Sequence, residues 1–196
     1  MKEDKLRALL LRMEADEPSA FTELYHETKE DVYRMVRLLV SNPGDAVEVV
    51  HEVYVALWKS YHKYDSERSF RYWLHGLVIR QVSSYRRTAW RRFRLFEKQK
   101  QYVEPAMYEE DGLLFERRQV MLKQVQTLPP KLREVIVLRY YSCLTGIAAL
   151  LSVPVGTVKS RHHTALKRLR VHFMEEDVNG KRLEENEYES VHRARV

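Results

Sequence analysis

A single cysteine, Cys143, stands among the 196 residues. A disulfide within the chain is thereby excluded, as is a zinc site assembled from cysteines, and Cys143 is expected to be a small core or half-buried residue. Long apolar runs are also missing. The longest extend only a few residues, and Leu9-Leu10-Leu11 lies between Arg7 and Arg12 with acids on both sides, unlike a signal peptide or a membrane span. The expectation is a soluble protein of a reducing compartment, most simply the cytoplasm. No paired carboxylates, nucleophile and base at matching spacing, glycine-rich phosphate loop or metal-ligand cluster stands out. His162 and His163 are neighbours, so on a helix they point to different faces and make a poor metal pair. No enzyme, cofactor or metal is therefore expected.

What the chain has in excess is positive charge. The formal net charge is +6, which favours a polyanionic partner provided that the charge clusters. It does cluster, on helices. The apolar spacing is helical throughout, with Leu6, Leu9, Leu10 and Met13 on a first helix and Phe21, Leu24, Tyr25, Val32, Met35, Val36 and Leu39 on a second. Ser41-Asn42-Pro43-Gly44 breaks the chain. A third helix turns Val49, Val50, Val53, Tyr54, Leu57, Trp58 and Tyr61 inward, and a fourth does the same with Phe70, Trp73, Leu74, Leu77, Val78, Val82 and Tyr85. The other side and the end of that fourth helix carry Arg71, Arg80, Arg86, Arg87, Arg91, Arg92 and Arg94, interleaved with Tyr64 and Tyr72 in the pattern that stacking on unpaired bases requires. For Phe70 and Trp73, which sit on the apolar stripe, core packing is the stronger reading.

Periodicity weakens from Leu95 to Gly112 and the charge turns acidic at Glu104, Glu109, Glu110 and Asp111, as in a linker. Fully extended, such a linker spans on the order of 60 Å. Helical spacing resumes from Leu113 to Thr127, Leu128-Pro129-Pro130 interrupts it, and Leu132, Val135, Ile136 and Leu138 open another helix. Then Ile147, Leu150 and Leu151 form a short apolar helix closed by Ser152-Val153-Pro154, and proline disrupts a continuous helix there. The helix that follows places Val158, Ala165, Leu166, Leu169 and Phe173 on one stripe, with His162 between Val158 and Ala165 on the same side. Thr157, Lys159, Ser160, His163, Thr164 and Lys167 are left facing outward, near enough to the helix start to reach phosphates and base edges in a major groove. Short helix, tight turn and basic helix make a helix-turn-helix. The tail from Glu175 is charged and poor in apolar residues. The expected fold is all-α: two small helical domains joined by a flexible linker, the second a helix-turn-helix domain of four helices.

Four segments, taken together, resemble the extracytoplasmic-function sigma factors of the sigma-70 family of bacterial RNA polymerase. They are Asp45-Ala46 through His51-Glu52-Val53-Tyr54 to Leu57-Trp58, Ser69-Phe70-Arg71-Tyr72-Trp73-Leu74, Leu128-Pro129-Pro130-Lys131-Leu132-Arg133-Glu134-Val135, and Val155-Gly156-Thr157-Val158-Lys159-Ser160-Arg161. The resemblance implies a domain at 1–94 that docks on core polymerase and melts the minus-ten promoter element, a linker at 95–112, a domain at 113–174 that binds the minus-thirty-five element, and a charged tail at 175–196. Carried over by position, Glu48, His51 and Glu52 match polymerase-docking positions, and Lys63, Tyr64, Arg68, Arg71, Arg80 and Arg87 match the region that holds the melted strand. Arg139 matches a phosphate contact. Lys159, Ser160 and His163 match base-edge positions, with Thr157, Arg161 and Lys167 beside them on the DNA side. The implied partners are core polymerase and promoter DNA, with an anti-sigma factor as a further candidate and without insertion into a membrane. An envelope or stress signal would be the trigger.

Two departures are specific to this chain. Leu144-Thr145-Gly146-Ile147 is about two residues shorter than the family pattern, which clips the first helix of the helix-turn-helix, and His162 stands where the family carries an apolar residue. A stand-alone helix-turn-helix regulator binding DNA as a dimer is the rival reading, and it leaves the first domain and the linker without a role.

Overall fold

A computed structural model describes residues 3–95 and 112–171. Most of the expected linker, and the tail, lie outside them. Among the described residues there are eight α-helices and no strand: α1 (Glu3–Glu14), α2 (Pro18–Leu39), α3 (Pro43–Ser60), α4 (Phe70–Leu95), α5 (Gly112–Thr127), α6 (Pro130–Tyr141), α7 (Leu144–Leu151) and α8 (155–171), with a 3-10 turn at Tyr61–Lys63 after α3.

Local chemistry sets the helix ends. Pro18, Pro43 and Pro130 each start a helix where a missing N–H costs nothing. Asn42 caps α3 by accepting from Gly44 N at 2.8 Å and Asp45 N at 3.2 Å. The start of α4 is capped from a distance, because the Glu3 carboxylate of α1 accepts the Phe70 N–H. At the α1–α2 corner Asp16 adopts a left-handed φ of 55°, and Arg12 binds Glu17 and Glu23 together, which holds the Glu17 carboxyl down at about 2.

The first module packs α1 to α4 around the expected stripes. Leu6, Leu24, Val32, Met35, Val36, Leu39, Val53, Leu57, Phe70 and Val78 are fully enclosed. Thr28, buried among them, donates to Leu24 O at 2.7 Å and meets the Tyr54 hydroxyl at 2.9 Å, so neither hydroxyl is left unpaired. Burial pushes the Tyr54 phenol well above its ordinary pKa. Four residues depart from the expected faces, Tyr25 of α2 being 38% exposed. Trp58 leans on Phe21 edge to face at 5.0 Å but stays 54% exposed, Leu166 is exposed on α8, and Cys143 is exposed at the N-cap of α7. There Cys143 Sγ lies 3.1 Å from Thr145 Oγ1 and accepts from Gly146 N at 3.5 Å, interactions that lower the thiol pKa. The thiol is thus a capping group, as a serine would be, and needs no core position.

The two modules do not stand apart. One hydrophobic cluster runs from Leu6 in α1 through Leu138, Ile147, Ala148 and Val158 in the second module. Helix α4 is buried all round between Leu74 and Ile79, the behaviour of a helix covered on two sides. On the side away from the α1–α3 core, Tyr72 Oη donates to Gly146 O at 3.0 Å and the His75 ring lies 4.6 Å from that of Tyr141. A Cβ on Gly76 would sit 3.3 Å from Leu150 Cδ2, so glycine there lets α7 approach α4 closely. At the other end of the seam the carbonyls closing α2 collect donors from the second module: Gln126 Nε2 to Arg37 O at 2.7 Å and Arg133 Nη1 to Leu39 O at 3.2 Å. Arg133, only 8% exposed, also reaches Ser41 Oγ at 3.2 Å and Leu128 O at 3.1 Å. Arg86 of α4 bonds both Leu39 O, at 3.1 Å, and the Glu134 carboxylate. Cations suit the partial negative charge at a helix C-terminus.

Candidate nucleic-acid interface

In the second module, α7 ends on Ser152 in the left-handed conformation (φ 53°, ψ 47°), with Val153 N bonding Ala148 O at 3.0 Å. Pro154 then offers its carbonyl to Thr157 N at 2.9 Å and Val158 N at 3.2 Å, which starts α8 in a new direction. Val158 and Ala165 are fully buried, and this anchors the orientation of the helix. Lys159, Ser160, His163, Thr164 and Lys167 face solvent, while Thr157, Arg161 and His162 are half-buried at the flanks. Phe173, the last member of the expected stripe, lies outside the described residues.

The hydroxyls on this face are partly committed. Ser160 Oγ donates to Thr157 O at 3.0 Å and Thr164 Oγ1 to Ser160 O at 2.8 Å, so towards an outside partner both present lone pairs and act as acceptors. Lys159, His163 and Lys167 supply the donors on the same face. Arg139, exposed at the end of α6, donates to Ser142 O at 3.2 Å.

The residues matched to the minus-ten element are more divided. Lys63, Arg68, Arg80 and Arg87 are exposed, and Arg68 Nε is 3.1 Å from Asp65 Oδ2. Tyr64 is a packing residue, half-buried between Phe70 and Trp73 with centroids at 5.6 and 5.5 Å, and its hydroxyl bonds Arg68 O. That bond ties down the loop after the 3-10 turn. Arg71 is also turned inward, 3.6 Å from Asp31 of α2. Tyr72 is spent on the seam. Glu48, His51 and Glu52 are all exposed on the outer face of α3, beside exposed Val47 and Trp58, and a protein partner would meet them as a mixed acidic and aromatic surface.

Sequence reasoning did not find His75, Ile79, Gln126, Arg133 and Tyr141, all placed at or beside the seam. A signal existed for one group: Tyr72, His75, Ile79 and Arg86 recur at helical spacing on the face of α4 opposite the core stripe. Spacing alone does not tell a covered face from a wet one.

The fold and the outward face of α8 define an all-helical, two-module helix-turn-helix protein. Family models agree in detail, with sigma-70 region 2 matching residues 24–92 and sigma-70 region 4 matching residues 125–171. The RNA polymerase sigma-E factor of Streptomyces avermitilis is 32% identical over 171 residues, covering 85% of this chain and 93% of that one. The ECF RNA polymerase sigma factor SigW of Bacillus subtilis is 26% identical, covering 84% and 95%. Among solved structures, the chain resembles CnrH in complex with the cytosolic domain of CnrY, with a TM-score of 0.62 at 21% identity, covering 87% of this chain and 98% of that one. It also resembles the sigma factor RpoE in complex with the anti-sigma factor NepR from Bartonella quintana, with a TM-score of 0.63 at 21% identity, covering 76% and 94%. The chain belongs to the extracytoplasmic-function sigma factors of the sigma-70 family. It is an RNA polymerase sigma factor, and the match of both modules, in order, sets aside the stand-alone regulator.

Proposed function

We propose that the two modules divide promoter recognition as follows. The outer face of α3, with Glu48, His51 and Glu52, docks on core polymerase. Lys63, Arg68, Arg80 and Arg87 then hold the backbone of the melted minus-ten strand, and base stacking falls to groups other than Tyr64, whose ring is packed. The second module reads the minus-thirty-five duplex, with Lys159 and His163 donating to base edges and Ser160 accepting. Arg139, Arg161 and Lys167 contact phosphates. The observation that carries this reading is the split of α8 into a buried side, Val158 and Ala165, and an exposed cationic side presented at the start of the helix. The protein acts beside polymerase in the cytoplasm as an initiation factor, not as a catalyst. An anti-sigma factor restrains it until an envelope or stress signal arrives, a role supported by the anti-sigma complex of its structural neighbour.

Run-off transcription with purified core polymerase on a genomic fragment library tests the reading and identifies the promoter. Glu48→Lys and Glu52→Lys are expected to weaken core polymerase capture without changing the melting temperature, since exposed charge reversals alter stability little. Undiminished capture by both variants would remove the α3 face from the interface.

A further inference from the structure

We propose that the acidic segment at 175–189 folds back onto the outward face of α8 and occupies it in competition with promoter DNA. The inference rests on the DNA-reading role proposed for α8.

Charge is laid out in blocks along the second module. No Asp or Glu stands between Glu134 and Glu175, so the six Lys and Arg of that stretch, five of them in α8, have no carboxylate among their chain neighbours. Lys159, His163, Lys167 and Arg170 recur at intervals of three and four, which aligns them down the outward face, and all four are exposed. Among the described residues none of them pairs with a carboxylate. Such a face holds a field that draws a polyanion to it. The cations of the first module are a poorer match for a further acidic segment, since Arg68, Arg71 and Arg86 already face Asp65, Asp31 and Glu134.

The cationic stripe is also longer than groove reading needs. From Lys159 to Arg170 it runs about 17 Å along the helix axis, whereas a recognition helix presents its N-terminal residues to base edges in a groove about 12 Å wide. Arg168 and Arg170 lie beyond the reading end. Leu166 and Val171, near them, are 37% and 48% exposed, so apolar surface is open at the same end.

A fitting occupant follows that end in the chain. Seven carboxylates stand between 175 and 189, against Lys181 and Arg182. They fall into two groups, Glu175 to Asp177 and Glu184 to Glu189, parted by Asn179-Gly180, a pair that favours a turn. Returning from Val171 to the level of Lys159 takes about 18 Å along the helix, and the twelve residues before Glu184 reach roughly 40 Å when extended. The second group can thus lie beside Lys159 and His163 while the first stays near Arg168 and Arg170, with Leu183 and Tyr188 available to Leu166 and Val171. Because it belongs to the same chain, the segment competes at an effective concentration on the order of millimolar. Contacts that are individually weak and screened by salt then suffice to hold the face until DNA displaces them.

The test follows a spin label in the full chain. Cys143→Ser keeps a capping oxygen at the start of α7, and Ser190→Cys then carries the label as the sole thiol. Paramagnetic broadening is expected at the amides of Lys159, His163 and Lys167 in low salt. It is expected to vanish at about 0.5 M salt, on neutralising the second group with Glu184→Gln, Glu185→Gln, Glu187→Gln and Glu189→Gln, and on adding an excess of the promoter duplex recovered by run-off transcription. The same four substitutions, in the unlabelled holoenzyme, are expected to tighten promoter binding about threefold in low salt, the value for a face covered about two-thirds of the time. They should also steepen its salt dependence, because DNA no longer displaces a competing polyanion. No broadening, broadening that falls on α4 instead, or unchanged promoter affinity of the neutralised holoenzyme would overturn the proposal. Should the label broaden α8 while duplex shifts none of its amides even in the neutralised chain, the DNA-reading role of α8 is what fails, and the competition falls with it.

Discussion

His75 carries the sharpest single-residue consequence. It is buried on α4 against Tyr141 of α6, with Asp31 of α2, Arg71 of α4 and Glu3 of α1 acting on it electrostatically. Burial is the dominant cause and takes its pKa down to about 4, Arg71 acts in the same direction, and Asp31 and Glu3 oppose it. Its folded pKa lies below the unfolded value near 6.5, so the stabilisation from keeping His75 neutral is whole above about pH 6.5 and shrinks as pH falls towards 4. Between pH 7.5 and pH 5 the loss is about 2 kcal/mol. His75→Phe, which keeps the ring and removes the titration, is expected to melt progressively higher than the parent as pH falls over that range. A constant difference in melting temperature would show that His75 keeps its solvation. On the DNA side, Lys159→Ala is expected to lose discrimination at one base position, about 1–3 kcal/mol, while Arg139→Ala weakens all sequences alike and flattens the salt dependence. Filter binding of the holoenzyme to single-base promoter variants at two salt concentrations separates the two patterns.

At the scale of elements, the helix-turn-helix shows how a turn is made without the residue that suits it best. Ser152 ends α7 in the left-handed region, where an L side chain costs roughly 1 kcal/mol and glycine almost nothing. Ser152→Gly is therefore expected to stabilise the chain by about 0.5–1 kcal/mol in thermal melts, with α8 unmoved and promoter use retained. A destabilised variant would mean that the serine side chain contributes more than its backbone costs. The fourth helix makes the complementary point. Phe70, Leu74, Leu77, Val78 and Val82 were legible as its core stripe, and Arg80 and Arg87 as exposed cations; what spacing could not reveal is that His75, Gly76 and Ile79 form a second buried face with half-buried Tyr72 at its edge. Tyr64 shows the reverse error: an aromatic among basic residues reads as a stacking platform until Phe70 and Trp73 are found packed on it.

For the whole molecule, the hydrophobic cluster is continuous from α1 to α8, so the two modules share structure despite the linker between them. Two independent domains would unfold separately. A shared core and the buried Arg133 couple them, and the full chain is expected to give one cooperative urea transition, coincident by far-ultraviolet dichroism and by fluorescence of the first-module tryptophans. Arg133→Leu, which leaves Leu39 O and Ser41 Oγ without this donor, is expected to split that transition in two. Coincident curves for this variant would show that Arg133 does not couple the modules.

The sequence by itself determined the helices, their breaks and their core faces, because helical spacing of apolar residues and the placement of proline and asparagine are local properties. It also determined the family, through four segments in order, and with it the outward cationic face of α8. What only the tertiary structure decided is which exposed-looking faces are covered. Arg133 and Glu134 read as surface charges in a basic chain. Arg133 is enclosed because the Leu39 carbonyl ending α2, 94 residues away, accepts its hydrogen bond, and Glu134 is half-buried because it pairs with Arg86, which donates to the same carbonyl. Gly146 reads as a shortened turn, and becomes a point of contact only when Tyr72 of another module lies on it. Burial of polar groups depends on partners brought together by the fold, and no local pattern in the chain encodes the distance between Leu39 and Arg133.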